Sequence, residues 1–235
     1  MTRKKLLLVT RPQHQADKLI TSLEKQGYAC VTFPCLEITE PSDYHPVNDA
    51  LRHFSKFDVC IFTSANAVLP LFQHHLKITP SLFAIGHATA EQLASYVQHV
   101  INIPERHSSE GLLAHPQLQS VNGLTIAIFT GENSTTLLQD TLLLRGANVI
   151  TIPCYARRCP QYTREHIDAI AKRNYDSIIV TSNAILRNLI DLLKPHEPWL
   201  KHQPLWVTST TIQSEAEFQG FHNISFHNPT FLKPN

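Results

Sequence analysis

The sequence predicts an α/β protein made of two similar doubly wound parallel-sheet domains. Three observations lead there. The chain repeats itself: "GYACVTFPC" (27–35) and "GANVITIPC" (146–154) share Gly, Thr, Pro and Cys in register, 119 residues apart. "FDVCIFTS" (57–64) and "YDSIIVTS" (175–182) share Asp, Ile, Thr and Ser at a spacing of 118, and "AIGHATA" (84–90) matches "WVTSTTI" (206–212) more loosely at 122. Within each copy, strand-like runs alternate with helix-period segments, the pattern of parallel strands joined by crossover helices. The strand candidates are short buried runs bounded by polar turns.

Taken in order, "KKLLLVT" (4–10) reads as the first buried strand. "QADKLITSLEKQG" (15–27) reads as a helix, with Ala16, Leu19, Ile20 and Leu23 apolar and Gly27 as its stop signal. "GYACVTFP" is the next strand, and the Pro-containing "TFPCLEI" (32–38) is a natural linker. "CIFTSANAVLPLF" (60–72) is a buried strand that enters a helix through a Thr-Ser turn, after the aromatic-Asp pair Phe57-Asp58. "LTIAIFT" (124–130) is another buried strand, and "TIPCYAR" (151–157) is the second linker. "IIVTSNAILRNLI" (178–190) repeats the strand, turn and helix after Tyr175-Asp176. The repeat alone divides the chain into 1–118 and 119–235.

The 235 residues suffice for one or two domains. A composition of 43% hydrophobic and 17% charged residues, with a net charge of +1, describes a soluble globular protein. It gives no electrostatic reason for a nucleic-acid partner. No apolar run approaches the roughly 20 residues that span a bilayer, so no membrane association is expected. "LLLV" is too short for a signal-peptide core, which makes the cytoplasm the expected location. The five cysteines are expected to be reduced. Cys30/Cys35 and Cys154/Cys159 share a C-x4-C spacing that fits no standard zinc knuckle, so no metal is expected. Nothing resembles an exposed apolar repeat, and a monomer is the default.

Ligands of open parallel sheets bind beyond the carboxyl ends of the strands. Those ends read Thr10-Arg11, Thr63-Ser64, Gly86 to Thr89, Thr130-Gly131, Thr181-Ser182 and Thr208 to Thr211. They offer hydroxyls and helix-start N–H groups, which favour anions. Any single one is equally an ordinary N-cap. Six together in two domains point to a cleft for a multiply anionic small molecule. No phosphate-binding Gly-x4-Gly-Lys loop, Gly-x-Gly-x-x-Gly, nucleophile elbow or His-Glu-x-x-His is present. Of the fourteen histidines, His74 and His75 are adjacent and cannot share a helical face. Chemistry without a cofactor or metal is therefore expected. Tyr155 follows Pro153-Cys154, where the first copy has Leu36. A phenol beside a cleft is placed to protonate a leaving group. It also suits plain packing with a satisfied hydroxyl.

The ordered set "LLLVTRP", "GYACVTFPCLEI", "IFTSANAV", "FAIGHATAEQL", "SSEGLL", "IFTGENS", "LLLRGANVITIPCYAR", "IIVTSNAIL" and "VTSTTIQSEAEFQGF" resembles the uroporphyrinogen-III synthase family. No one segment is distinctive; their order and spacing are. The resemblance implies a cofactor-free lyase of the haem, sirohaem and corrin route. Its substrate is hydroxymethylbilane, a linear tetrapyrrole polycarboxylate, which is closed with loss of water and inversion of ring D. The bilane also cyclises unaided to the uninverted isomer, so the enzyme's main task is to fold and steer it. A transient contact with hydroxymethylbilane synthase, the supplier, is also implied.

By this resemblance Tyr155 assists departure of the hydroxyl. Ser64, Thr89, Ser109, Ser182, Thr210 and Thr211 face the substrate with hydroxyls or N–H groups. Gly111 and Leu112, after Ser108-Ser109, present backbone N–H groups, and Arg11 makes a supporting carboxylate contact. The family topology gives domains of 1–36 plus 156–235 and of 37–155, joined by linkers near 33–38 and 150–157. Thr208 stands where the family usually has a glycine. "HNPTFLKPN" (227–235) begins the family's last loop and helix and stops early, so a short final helix and reduced stability are expected. The rival function is a non-catalytic two-lobed binder of an anionic metabolite or tetrapyrrole.

Overall fold

The computed structural model describes residues 3–73 and 78–227, with no side chains described for 71–73. The adjacent pair His74-His75 and the segment 228–235, on which the expectation of a short final helix rests, lie outside the described residues. The chain begins with β1 (Leu6–Val9), α1 (Gln13–Lys25) and β2 (Ala29–Thr32). It continues through β3 (Glu37–Thr39), α2 (His45–Arg52), β4 (Val59–Phe62), a 3-10 segment (Ala65–Gln73), β5 (Ser81–Ala84), α3 (His87–Ala94) and β6 (Ile101–Asn102). Next come α4 (Ser109–Ala114), β7 (Thr125–Gly131), α5 (Leu137–Leu144) and β8 (Asn148–Arg158). The remainder is α6 (Arg164–Ala171), β9 (Ser177–Val180), α7 (Asn183–Leu192), α8 (Glu197–Lys201), β10 (Leu205–Val207), α9 (Thr210–Phe218) and β11 (Ile224–Phe226).

The chain forms two compact units, Met1–Glu37 with Arg158–Asn235, and Ile38–Arg157. The first holds a sheet in the order β11-β10-β9-β1-β2, and the second holds the order β3-β8-β7-β4-β5-β6. Setting the edge strand β3 aside, the two orders are the same, and each sheet draws strands from both copies of the repeat. β1 pairs in parallel with β9, Leu8 opposite Ile178, as β7 pairs with β4, Ile126 opposite Val59.

The repeated residues have repeated tasks. Asp58 Oδ2 accepts the Thr125 N–H at 2.8 Å, and the Asp58 N–H donates to the Thr125 carbonyl at 2.9 Å. Asp176 does the same with Leu6, at 2.7 and 2.8 Å. Each aspartate therefore pins the start of its strand to the central neighbour, which sets the register. Gly27 and Gly146, at φ 91° and 84°, leave α1 and α5 through the left-handed region that glycine occupies without penalty.

Both sheets are covered on both faces, which is why their strands read as continuous apolar runs. In the first unit Leu7, Val9 and Ile179 pack with Ala16, Leu19 and Leu23 of α1. Leu8, Ile178 and Val180 pack on the opposite face with Ile185, Leu186 and Leu189 of α7. In the second unit Phe62 and Phe129 stack at 4.6 Å between ring centroids, and Phe54 lies 5.9 Å from Phe129. Ile61, Ile126 and Ile128 face the other way, against Leu138 and Leu142 of α5.

Residues 150–157, where the second linker is expected, form part of the eleven-residue strand β8, and the two units divide between 157 and 158. The strand pairs with β7 from Asn148 onwards. Pro153 cannot donate to the ladder, and the register shifts at Thr130/Gly131, so Gly131 stands opposite Tyr155. Among the described residues no helix is long and apolar enough to cross a membrane, and no three His, Cys, Asp or Glu side chains group as metal ligands.

The cysteines are free, Cys35, Cys60 and Cys154 buried and Cys159 exposed. Burial pushes the Cys154 thiol up to about 12 and the half-buried Cys30 up to about 11, and it raises Cys35 and Cys60 well above the ordinary thiol range. Because the thiolate is the nucleophile, a disulfide reagent near pH 8 is expected to label Cys159 of the native protein first, and Cys159→Ser is expected to abolish the fast phase. Fast labelling that survives in that variant would refute this assignment.

Candidate functional site

In the second unit a cavity of about 400 Å³ lies at the carboxyl end of the central strands, lined among others by Thr63, Ser109, Thr130, Ser134, Tyr155 and Arg157. Three hydroxyls form a chain along it. Thr63 Oγ1 donates to Thr130 Oγ1 at 2.8 Å, Thr130 to Ser134 Oγ at 2.8 Å, and Ser134 to the Gly131 carbonyl at 2.7 Å. The chain ties β4, β7 and the turn after β7 together.

Tyr155 is 4% exposed and its ring belongs to the core of this unit. Its position depends on Gly131: a Cβ there would stand 2.7 Å from Tyr155 Cζ. Real Cβ atoms do not approach that closely, so only glycine leaves the ring where it is. The Glu132 N–H donates to the Tyr155 carbonyl at 2.8 Å and holds the backbone beyond the bulge. The phenol oxygen accepts a hydrogen bond from Arg157 Nη2 at 3.2 Å. The guanidinium carbon lies 5.6 Å from the ring centroid.

The first unit presents a cation at the corresponding end of its sheet. Thr10 Oγ1 donates to the Ile179 carbonyl at 2.6 Å, which fastens the end of β1 to β9. Arg11 follows, with Nη2 donating to Gln15 Oε1 at 3.1 Å. Burial lowers the pKa of its guanidinium, which nevertheless stays cationic at any ordinary pH. Arg11 Nε and Asn183 Oδ1 are the buried side-chain polar atoms without a partner among the described residues. They belong to segments that follow neighbouring strands, β1 and β9. A buried unpaired donor costs about 1–3 kcal/mol.

A family model described as "Uroporphyrinogen-III synthase HemD" matches residues 17–231. The uroporphyrinogen-III synthase of Escherichia coli (strain K12) is 31% identical over 228 residues, which cover 93% of each chain. That of Salmonella typhimurium (strain LT2) is 30% identical over 230 residues, again 93% of each. The chain belongs to the uroporphyrinogen-III synthase family. Solved structures agree on the fold. Uroporphyrinogen-III synthetase from Helicobacter pylori 26695 superposes with a TM-score of 0.61 at 15% identity, covering 97% of this chain and 94% of that one. A mutant uroporphyrinogen III synthase from the extremely thermophilic bacterium Thermus thermophilus gives 0.59 at 16% identity, with 95% and 92% covered. The expected two-domain α/β class stands.

Of the residues singled out by family resemblance, Ser109 and Tyr155 line one cavity. Ser64 and Ser182 each cap the helical segment that follows, accepting the N–H of Asn66 and of Ile185, both at 3.2 Å. A capping hydroxyl keeps its own proton to donate. Thr89 sits in the first turn of α3 and is 4% exposed. Thr210 and Thr211 open α9 and are exposed, with Ser209 serving as the cap through Ile212 N–H at 3.3 Å.

Gly111 and Leu112 use their N–H groups at the start of α4. The Gly111 N–H is taken by Ser108 Oγ at 3.1 Å and the Leu112 N–H by the Ser108 carbonyl at 3.0 Å, so both are spent in capping α4. Gly111 is glycine for a steric reason, since a Cβ would meet the Arg106 carbonyl oxygen at 1.8 Å. Leu112 is a fully buried core side chain.

Reading the sequence missed Arg157, Asn183 and Ser134. For Arg157 a signal existed: residues two apart on a strand share a face, so Arg157 had to accompany Tyr155 if β8 continued. Ser134 and Asn183 gave none: Ser134 bonds within the turn after β7, to Thr130 and Gly131, in a geometry that no sequence pattern marks, and Asn183 Oδ1 has no partner among the described residues.

Proposed function

We propose that this chain, a member of the uroporphyrinogen-III synthase family, closes hydroxymethylbilane to uroporphyrinogen III in the tetrapyrrole route. One observation carries the site reading: the Tyr155 oxygen accepts from Arg157 beside a polar cavity, which leaves the phenol proton available. In this reading Tyr155 gives that proton to the departing hydroxyl. The C–O bond breaks, water leaves, and an azafulvene cation remains. Attack by ring D forms the spiro-pyrrolenine, rearrangement inverts the ring, and the proton lost on closure returns to the phenolate. Loss of water is the only net change.

The substrate's carboxylates need donors. Arg11 supplies a charge-assisted contact through its guanidinium, and Ser64, Ser109, Thr89, Ser182, Thr210 and Thr211 supply hydroxyls or helix-start N–H groups. We place the protein in the cytoplasm as a monomer that meets hydroxymethylbilane synthase transiently. The chemical reason is that a bilane left in water cyclises to the wrong isomer.

An isomer assay tests the function. With fresh hydroxymethylbilane, oxidised products are expected to be mainly uroporphyrin III, in proportion to protein. Uroporphyrin I alone, from folded protein, would overturn the proposal in favour of a tetrapyrrole binder.

A further inference from the structure

We propose that Arg157 is a positioning residue for this reaction, holding the Tyr155 phenol so that its only proton is directed away from the protein's own acceptors and towards the leaving hydroxyl. The inference rests on the reading of Tyr155 as the proton donor.

The chemistry of the pair is one-directional. Arginine has five N–H donors and no acceptor, whereas a phenol has one donor and accepts on its oxygen. In the contact at 3.2 Å the phenol must therefore be the acceptor, and its O–H is left over. A tyrosine whose hydroxyl met a backbone carbonyl would spend the proton instead. Tyr162 and Tyr175 do so, donating to the carbonyls of Pro34 at 2.8 Å and Ile170 at 3.2 Å. Among the described residues, Tyr155 differs from both, since its hydroxyl pairs with Arg157 and with no carbonyl.

The strand sets the geometry. Residues 155 and 157 lie on one face of β8, while Ala156 between them is fully buried on the other. Gly131 closes in on the ring, which cannot swing towards β7 without a clash. Arg157 is exposed and, among the described residues, has no carboxylate partner, so its charge is not neutralised locally. A cation 5.6 Å from the ring centroid also favours the negative charge that grows on the phenol oxygen as the proton leaves. Because the cation is in place beforehand, it needs no reorganisation during the step.

The test compares Arg157→Ala, Arg157→Lys, Tyr155→Phe and the double variant Tyr155→Phe/Arg157→Ala, with kcat, KM and product isomer measured on fresh hydroxymethylbilane. Arg157→Ala is expected to lower kcat about tenfold with KM nearly unchanged, since the interaction serves the transition state. Arg157→Lys should recover part of the loss. Millimolar guanidinium ion should restore part of the Arg157→Ala turnover and none in the double variant. In the Tyr155→Phe background, removing Arg157 should have no further effect.

The same loss in both backgrounds, or a raised KM with kcat intact, would overturn the inference and make Arg157 a carboxylate contact. Full activity in Tyr155→Phe alone would instead overturn the underlying reading of Tyr155. Because Arg157 is exposed, Arg157→Lys keeps the test valid even if the alanine variant folds poorly.

Discussion

Tyr155→Phe is expected to lower kcat about 10²-fold, within the span that a positioned general acid contributes, and to shift the products from uroporphyrin III towards I. The substitution removes one oxygen and leaves the ring. Contact with Gly131 and membership of the core are kept, so stability should fall by no more than the net worth of one hydrogen bond, about 1 kcal/mol. That separation makes the variant informative: an unchanged unfolding midpoint together with lost turnover assigns the effect to the proton. The isomer shift follows because unassisted closure competes whenever the enzyme is slow. Near-complete activity in the folded variant would remove Tyr155 from the mechanism and leave the chain to act by folding the bilane alone.

Phe129→Ala is expected to destabilise the second unit by about 3–5 kcal/mol, the usual cost of emptying a buried phenylalanine site. Phe129 is fully buried, stacks on Phe62 at a 10° interplanar angle and touches Phe54. It shares a core with the Tyr155 ring, so the cavity left behind opens on the face that seats that ring. Little nearby is able to collapse into the gap, because the neighbouring positions are strand backbone held in register on both sides. Urea titration followed by circular dichroism reads the loss, with Phe226→Ala as the control. Phe226 is 53% exposed, and its truncation should cost less than about 0.5 kcal/mol. A Phe129→Ala loss below about 1 kcal/mol would mean that the aromatic stack is not the keystone of this core.

Much of the candidate site was readable because its parts are local. Thr-Ser turns at strand ends became helix caps, since a Ser before a helix is the residue whose oxygen reaches the third N–H. Gly27 announced a helix end because few other residues accept a positive φ, and its repeat partner Gly146 takes the same conformation. The Asp58 and Asp176 repeats were visible, but their purpose was not. Each pins a backbone N–H far along the chain, Thr125 and Leu6, and no local pattern names that partner. For Gly111 and Leu112 the ambiguity was local. A "SSEGLL" segment permits both an open N–H loop and a tight cap, and only Ser108's hydrogen bonds distinguish them.

What residue order determined by itself was the alternation of buried strands and amphipathic helices, the duplication, and the hydroxyl-rich strand ends. These follow from periodicity and backbone preference, which act over a few residues. Periodicity and the repeat alone did not decide which strands share a sheet: the repeat divides the chain at 118/119, and the exchange of the first strands came only from the family resemblance. β1 and β7 are both short apolar runs that suit either central place, and burial on two faces rewards them equally wherever they go. Only packing seats β1 beside β9 and β7 beside β4. The same packing carries β8 through Pro153, opens the bulge at Gly131, and so puts the Tyr155 phenol under Arg157.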